Sequence, residues 1–281
     1  MSKEFKITKP VRMIELFAGY GSQYQALKRL RQDCESYKIS EWCIPSNSSY
    51  KAMLEVVDNK YDKIDYSEKY SDEEIINRLI GLGLSVDSKN PINEKFLRRK
   101  GINWCRKVFN EYISTNNLGN ITNIKANDLK IIDKVIYTYI MTYSFPCQDL
   151  SLAGRQAGMR KGSNTRSGLL WEVERLLQES IDNNLELPDV LLMENVPQVC
   201  NKKNEKDFKE WKEFLENIGY KNFVKILNAS DFGIPQNRKR CFMVSILTDK
   251  NITYNFCNLS NLWNNNNTNI KKIKNRSNRK R

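Results

Sequence analysis

Short apolar runs alternate with polar, glycine-containing loops along this chain, and their spacing predicts strands that alternate with helices. Residues 11–17 form the first apolar run, a glycine turn follows, and residues 23–31 place leucines on one face of a helix. Further strands are expected at residues 39–43, 135–143, 188–193, 223–227 and 241–247. This alternation predicts an α/β fold with a doubly wound, mainly parallel sheet.

A charged segment interrupts the alternation between the second and third strands. Residues 54–118 carry helical patterns at 72–82 and 93–112, which predicts a helical insertion. Later helices are expected at residues 168–183 and 208–215. In the second of these, the residues that face inward are Trp211, Phe214 and Leu215.

The chain has no histidine, which excludes whole classes of site. Hydrolases that use an imidazole base are excluded, and most catalytic zinc sites also need imidazole ligands. The seven cysteines include no two that are two or three residues apart, so the usual zinc-binding spacing is absent. We therefore expect free thiols and no metal.

Basic residues outnumber acidic ones and collect at the carboxyl end. The formal net charge is +13, and residues 271–281 carry seven lysines and arginines. This surplus suits a polyanionic partner, but a lysine- and asparagine-rich composition explains it equally well. The apolar pattern decays after residue 247, so we expect a domain over residues 1–250 and a disordered tail over 251–281. No run is long and apolar enough to span a bilayer, and no signal peptide opens the chain, which predicts a cytoplasmic protein.

The strongest candidate for chemistry is a cysteine that follows a predicted strand. Cys147 lies in Pro146-Cys147-Gln148, directly after the apolar run of residues 135–141, and so at the edge where open α/β sheets bind ligands. A buried structural thiol is the alternative. Three further runs lie at predicted strand ends: Phe17-Ala18-Gly19-Tyr20-Gly21, Glu194-Asn195-Val196 and Gln236-x-Arg238-x-Arg240.

These four runs, in this order, resemble those of the DNA (cytosine-5) methyltransferase family. The resemblance covers roughly residues 11–247, with the insertion at 54–118 and the tail outside it. It implies a Rossmann-like fold that uses S-adenosylmethionine as methyl donor, without a metal. It also implies a restriction-modification or phage system and double-stranded DNA as the partner.

The resemblance implies four catalytic residues. The thiolate of Cys147 adds to C6 of cytosine and makes C5 nucleophilic. Glu194, protonated or sharing a proton with ring N3, relieves the charge on the ring and contacts the exocyclic amine. Arg240 contacts the base O2 and orients Glu194, while Arg238 lies against the cysteine and the backbone.

A cofactor pocket is also implied by the resemblance, and its lining would be Phe17, Gly19, Gly21, Glu41, Trp42, Asn120, Pro146 and Leu169. The two glycines would let the backbone approach the cofactor. Glu41 lies about 20 residues after them, the offset expected of an acid that binds the ribose hydroxyls. Trp42 would stack on the adenine.

The adenine amine needs an acceptor, and here the chain departs from the family. The family often has Gly-Asp-Ile where this chain has Gly119-Asn120-Ile121. An asparagine carbonyl accepts the same hydrogen bond more weakly. Asp128 is the alternative acceptor, and we favour Asn120.

The glycine-rich segment of residues 151–167 resembles the loop that closes over a cytosine flipped out of DNA. Extrusion costs a few kcal/mol, which contacts to the phosphates and the vacated helix offset. The expected DNA contacts are Gln148, Ser151, Arg155, Arg160, Lys161 and Gln236.

Residues 248–281 are too short and too polar for the target-recognition domain and final segment of the family. The chain is therefore expected to be one part of a split enzyme that a second polypeptide completes, a truncated or frameshifted product, or a fragment. A large exposed apolar patch is expected near residues 11–30, where the missing helix would pack. Two alternative functions stay open: methylation of cytosine C5 in tRNA, and an inactive remnant that binds S-adenosylmethionine or DNA.

Overall fold

The computed structural model describes residues 3–4, 6–59, 64–150, 158–163, 165–249 and 252–253. Its strands are β1 (Lys3–Glu4), β2 (Val11–Leu16), β3 (Cys34–Ser40), β4 (Thr138–Tyr143), β5 (Val190–Asn195), β6 (Tyr220–Asn228), β7 (Lys239–Leu247) and β8 (Ile252–Thr253). Its helices are α1 (Ser22–Arg29), α2 (Ile44–Val57), α3 (Asp72–Gly81), α4 (Glu94–Lys100), α5 (Ile102–Ser114), α6 (Leu170–Asp182) and α7 (Glu205–Asn217).

The main sheet has six strands in the order β3-β2-β4-β5-β7-β6. The four strands β3, β2, β4 and β5 pair in parallel, whereas β7 is antiparallel to both of its neighbours. The order runs outward from β2 in both directions, as a doubly wound sheet requires. The predicted fold class is therefore confirmed. A separate pair, β1 with β8, was not predicted.

Several predicted boundaries are wrong by a few residues. The second strand ends at Ser40 rather than at residue 43, so Glu41 follows the strand instead of lying in it. Residues 93–112 are divided into α4 and α5 by Gly101, whose φ of +84° a continuous helix cannot accommodate. The helix α2 was not predicted, because its serines and asparagine favour turns over helix interiors.

The insertion folds around a small core of its own, beside the core of the main sheet. Its members include Ile75, Leu79, Leu97, Cys105 and Phe109, all fully buried or nearly so. The capping box of Ser71 and Glu74 begins α3, since each side chain accepts a hydrogen bond from the other residue's backbone. The predicted insertion is thus a packed helical unit.

The expected exposed apolar patch near residues 11–30 is wrong. Strand β2 is central in the sheet, and its apolar side chains are buried. Helix α1 covers one side of it through Tyr24 and Leu27, which pack with Met53 from α2. Within this window, the described large apolar side chains that are exposed are Tyr20 and Leu30 alone.

Candidate active site

All four sequence runs reach one edge of the sheet. The parallel register pairs Leu16 with Ser40 and Tyr143, and Tyr143 with Met193, so these strands end at the same level. Strand β7 runs the opposite way and pairs Cys241 with Asn195, so its first residues lie at this edge too. The residues that follow or begin these strands therefore meet along one line.

The loop that carries Cys147 is anchored on both sides. The side-chain amide of Asn195 donates to the Phe145 carbonyl at 3.0 Å, and the Ser167 hydroxyl donates to the Pro146 carbonyl at 2.7 Å. Asn195 and Ser167 are buried, which makes these bonds costly to break. Cys147 is half-buried and packs against the main core.

Glu194 and Arg240 form an ion pair across neighbouring strands. The Arg240 Nε lies 2.8 Å from a Glu194 carboxylate oxygen, and each side chain is about a quarter exposed, 22% and 25%. Glu194 is opposite Phe242 in the register, so Arg240 lies diagonally across the ladder on the same face. The structure thus brings together two of the predicted catalytic residues.

Arg238 and Gln236 lie in the exposed turn before β7. The Arg238 carbonyl accepts from the Ala229 amide at 3.0 Å, and its own amide donates to the Gln236 carbonyl at 3.0 Å. Arg238 is exposed in this turn, and the expected position of its side chain against Cys147 stays a prediction. Arg238 precedes β7 instead of belonging to it, and so does not share the ladder geometry of Arg240.

Glu41 joins the ends of β2 and β3. One carboxylate oxygen accepts from the Gly19 amide at 2.8 Å, and the other accepts from the Cys43 amide at 2.7 Å. Glu41 is 8% exposed. Burial raises the pKa of its carboxyl group, although the two backbone hydrogen bonds act to lower it. Glu41 thus lies next to the glycine turn and stabilises it, while its expected contact with ribose hydroxyls stays a prediction.

Different structural constraints act on Gly19 and Gly21, the two glycines of that turn. Both have positive φ, but a Cβ at Gly19 would meet nothing within 4 Å. A Cβ at Gly21 would lie 2.2 Å from Met53 Cε and 2.9 Å from Tyr50 Cε2. Gly19 therefore leaves open space for a ligand. Close packing against α2 is a further reason for glycine at position 21, and its expected role beside the cofactor stays a prediction.

The remaining pocket residues occupy half-buried positions along the same edge. Phe17 has a φ of +58° and packs against the main core, an uncommon conformation for a residue with a side chain. Leu169 ends the short helical turn Ser167–Leu169 and packs on that core as well. Trp42 and Pro146 are half-buried.

Asn120, rather than Asp128, lies beside the end of β3. The Ser40 hydroxyl donates to the Gly119 carbonyl at 2.9 Å, which fixes Asn120 next to that strand end. The Asn120 side-chain oxygen accepts from the Thr122 amide at 3.2 Å. Asp128 accepts from the Lys125 amide at 2.9 Å and caps a separate turn. This placement favours Asn120.

Sequence reasoning missed Asn117 and Tyr112, which form hydrogen bonds with the backbone of Glu41. The Asn117 side chain accepts from the Glu41 amide at 3.1 Å and donates to the Glu41 carbonyl at 3.0 Å. Asn117 also donates to Asn47 at 2.8 Å, and the Tyr112 hydroxyl donates to the Glu41 carbonyl at 3.2 Å. An isolated asparagine carries no sequence pattern that distinguishes this role.

The expected DNA contacts are spread over the surface beside Cys147. Gln148, Arg160 and Gln236 are exposed, and the Gln148 side-chain oxygen accepts from Arg166 at 2.5 Å. Lys161 is paired with Glu174, lies 4.0 Å from Glu210 and stands over the Trp171 ring. Ser151 and Arg155 lie outside the described residues.

Within the described ranges, no group of three or more histidine, cysteine or acidic side chains is arranged to hold a metal ion. No described helix has the length and apolarity needed to cross a membrane. The six described cysteines are free thiols.

Comparisons with known proteins agree with the family that the runs resemble. Residues 79–280 match the family model described as C-5 cytosine-specific DNA methylase. This range includes residues 79–118 and 248–280, which we expected to lie outside the resemblance.

Two curated relatives match over most of the chain. The orphan methyltransferase M.SssI of Spiroplasma monobiae is 42% identical over 253 residues, which are 89% of this chain and 62% of that protein. The type II methyltransferase M2.ScrFI of Lactococcus lactis subsp. cremoris is 37% identical over 240 residues, which are 84% of this chain and 61% of that protein. The chain thus spans about three fifths of the length of these relatives.

A solved structure supports the fold alone. The S. pombe Dnmt2 methyltransferase is 17% identical, with a TM-score of 0.51 over 90% of this chain and 54% of that one. The sheet edge that gathers the four runs and the family-model match over most of the chain lead to one conclusion. This chain belongs to the C-5 cytosine-specific DNA methylase family.

Proposed function

We propose that this chain transfers a methyl group from S-adenosylmethionine to C5 of cytosine in double-stranded DNA, through a covalent bond between Cys147 and the base. One observation supports this most. The anchored Cys147 loop and the Glu194–Arg240 pair share a sheet edge with the Glu41–Gly19 contact, so nucleophile, base-binding pair and cofactor residues adjoin.

Cys147 activates the base. C5 of cytosine is a poor nucleophile, and a sulfur–carbon bond at C6 moves the electron pair of the C5–C6 double bond to C5. C5 then bonds to the methyl carbon as the bond from that carbon to the sulfonium sulfur breaks, and S-adenosylhomocysteine leaves with the electron pair. Loss of the C5 proton restores the double bond and breaks the bond between sulfur and C6, which returns Cys147 to its starting form. The two anchors hold the backbone just before Cys147, which favours a constant position of the loop for attack on the base.

Glu194 and Arg240 hold the opposite edge of the ring. The Glu194 carboxyl contacts N3 and the exocyclic amine, and shares the proton that relieves negative charge during addition. Arg240 keeps that carboxyl oriented through the ion pair and contacts O2 of the base. Arg238 lies in the exposed turn and joins this site only if DNA binding moves that turn.

The cofactor half of the edge fits S-adenosylmethionine. Open space beside Gly19 admits the cofactor, the buried Glu41 carboxylate suits ribose hydroxyls, and the half-buried Trp42 ring suits adenine. The bound cofactor supplies an electrophilic methyl group. The residues that would hold it are Phe17, Gly19, Gly21, Glu41, Trp42, Asn120, Pro146 and Leu169.

The target cytosine must leave the duplex to reach Cys147. Exposed Gln148, Arg160 and Gln236 are suited to contacts with the vacated helix and the phosphates. Ser151 and Arg155 remain candidates in the segment 151–157. Lys161 would have to exchange Glu174 and Glu210 for a phosphate, since these acids share its charge here.

Activity is proposed to need the part of the relatives that this chain does not span. The chain covers 62% and 61% of the two curated relatives. Base edges in the groove must be contacted for sequence-specific methylation. We propose that the remainder, joined to this chain or supplied as a second polypeptide, provides those contacts.

The experiment measures transfer of labelled methyl groups to duplex DNA and to tRNA, with the remainder supplied. Wild-type chain should label DNA, and Cys147→Ala should not, while its affinity for S-adenosylhomocysteine stays within about twofold. Cys200→Ala, a change at another half-buried thiol, should retain transfer. Transfer by Cys147→Ala would remove this residue from the mechanism, and labelling of tRNA alone would replace the proposed substrate.

A further inference from the structure

The segment 82–85, between α3 and α4, lies against the expected adenine-stacking residue. The Ser85 amide donates to the Trp42 carbonyl at 2.8 Å, and the Ile44 amide donates to the Ser85 carbonyl at 2.8 Å. Cys43 and Ser85 form a parallel bridge, and Ser85 is fully buried. The backbone around Trp42 is therefore bonded to the insertion.

The same segment also lies against the expected adenine acceptor. The Asn120 amide donates to the Leu82 carbonyl at 2.8 Å. A Cβ at Gly119 would meet the Leu82 carbonyl oxygen at 2.4 Å, and one at Gly83 would meet Asn123 Nδ2 at 2.6 Å and Asn120 Cβ at 3.1 Å. Such close approach of two backbones is possible because both positions are glycine with positive φ.

Helix α5 extends this contact to the expected ribose-binding residue. The hydroxyl of Tyr112, which is buried in the core of the insertion, donates to the Glu41 carbonyl at 3.2 Å. Glu41, Trp42 and Asn120 are thus each hydrogen-bonded to a residue between 82 and 112. A structurally independent appendage would not make all three contacts.

We propose that the segment 82–85 forms the adenine-side wall of the cofactor pocket, so that the insertion is a working part of that pocket. This rests on the proposed use of S-adenosylmethionine. Because the wall is bonded to Trp42 on one side and Asn120 on the other, it sets the separation of these two residues. Cofactor affinity and the stability of α3, α4 and α5 are therefore linked, since a ligand stabilises whatever structure it needs in order to bind.

The first test uses a matched pair of glycines two residues apart. Gly83→Asn keeps the positive φ, which asparagine tolerates, but introduces a Cβ against Asn120 and Asn123. Gly81→Asn, at the end of α3, introduces a Cβ with nothing within 4 Å. In calorimetric titrations with S-adenosylhomocysteine, Gly83→Asn should bind about tenfold more weakly than wild type, and Gly81→Asn within about twofold.

The second test uses the unaltered chain and does not depend on how a variant folds. Addition of S-adenosylhomocysteine should slow amide hydrogen exchange in residues 82–91 and in α3 and α5, as well as in the glycine turn.

The possible outcomes distinguish failure of the proposed wall from failure of the proposed cofactor use. Binding by wild type without protection of residues 82–91, or with equal affinity for Gly83→Asn, would overturn the wall and leave the proposed function standing. Lower stability of unliganded Gly83→Asn with unchanged affinity would likewise reduce the segment to a structural role. Failure of the wild-type chain to bind S-adenosylhomocysteine would reject the cofactor use on which both proposals depend.

Discussion

Two halves of one sheet edge are built in different ways. In the proposed catalytic half, formed by the loops after β4 and β5 and the start of β7, most of the contacts join residues of the sequence runs. Asn195 bonds to the Cys147 loop and Arg240 pairs with Glu194, and Ser167 adds one bond from outside the runs. In the cofactor half, formed by the loops after β2 and β3, Glu41 is held mainly from outside the runs, by Asn117 and Tyr112. The proposed reaction requires the residue types of the catalytic half, whereas tertiary packing determines which residues hold Glu41.

If this division is correct, changes in the catalytic half should lower the rate of transfer and leave cofactor affinity intact. Changes in the cofactor half should lower affinity or stability first. The four predictions that follow test this separation, from the largest expected effect to the smallest.

Glu194→Gln should lower the rate of methyl transfer by about 100-fold to 10,000-fold, the usual contribution of a positioned acid or base. The amide cannot share a proton with the base as the carboxyl can, and it loses the charge that Arg240 pairs with. Affinity for S-adenosylhomocysteine should stay within about twofold of wild type. The control is Glu213→Gln on α7, where the side chain is 56% exposed. A loss of affinity for S-adenosylhomocysteine as large as the loss of rate in Glu194→Gln would contradict the division between the two halves.

Glu15→Gln should change how stability depends on pH. Glu15 lies fully buried in β2, beneath the glycine turn, and accepts hydrogen bonds from the Tyr50 hydroxyl and the Tyr24 amide. Burial raises the pKa of Glu15 from 4.5 to about 7, although these hydrogen bonds act to lower it. The stability linked to its proton is fully present below pH 4.5 and is lost as the pH rises through about 7.

Urea unfolding at several pH values between 4.5 and 8 measures this effect. Relative to Glu15→Gln, the free energy of unfolding of the wild type should fall by about 3 kcal/mol across that range. Exposed Glu213 serves again as the control position. Parallel pH profiles for wild type and Glu15→Gln would show that Glu15 keeps its charge in the folded chain.

Asn117→Ala should weaken binding of S-adenosylhomocysteine by about tenfold, because the buried Glu41 amide loses its acceptor and the Glu41 carbonyl keeps only the bond from Tyr112. The rate of transfer at saturating cofactor should change by less than about threefold. Titration calorimetry and initial rates distinguish the two quantities. Asn127→Ala, at an exposed asparagine of the following turn, is the control. A large fall in the rate of transfer with unchanged affinity for S-adenosylhomocysteine would contradict the assignment of Asn117 to the cofactor half.

Lys161→Gln should change stability by less than about 1 kcal/mol, since Lys161 is 53% exposed and the glutamine amide can still donate to Glu174, which is 15% exposed. The main effect of Lys161→Gln should be on DNA binding. The slope of log affinity against log salt concentration should fall by about one unit if Lys161 contacts a phosphate. Lys209→Gln, at an exposed lysine on α7, should leave the slope unchanged. An unchanged slope for Lys161→Gln would show that Lys161 does not contact a phosphate and stays paired with Glu174 and Glu210.

The catalytic half could be predicted from sequence because each run ends or begins a strand. Pro146-Cys147-Gln148 follows β4 and Glu194-Asn195 ends its parallel neighbour β5, and the carboxyl ends of such strands meet at one edge. The roles of Arg238 and Arg240 came from the resemblance of the Gln236-x-Arg238-x-Arg240 run to the family. Alternation along a strand accounts for Arg240 lying on the same face as Glu194, but it gives no information on Arg238, which lies in the turn before β7.

The cofactor half could be predicted only in part. Glu41 was found from its distance to the glycines, but its partners Asn117 and Asn47 carry no periodicity, since their bonds depend on how distant segments pack. The packing of Gly21 against Met53 and Tyr50 could not be predicted, because a glycine pattern does not distinguish open space from a neighbouring side chain. The contact of the insertion with Trp42 and Asn120 has the same origin in tertiary packing.

The central claim, that Cys147 bonds to the cytosine that Glu194 and Arg240 hold, is tested most directly by trapping the bond. A duplex with 5-fluorocytosine at the target position lacks the C5 proton whose loss releases the enzyme, so methylation should leave the chain attached. With S-adenosylmethionine and the remainder of the relatives' length supplied, we predict a complex that survives denaturation, with the oligonucleotide located on Cys147 by mass spectrometry. Attachment at another residue, or the same complex with Cys147→Ala, would contradict the claim.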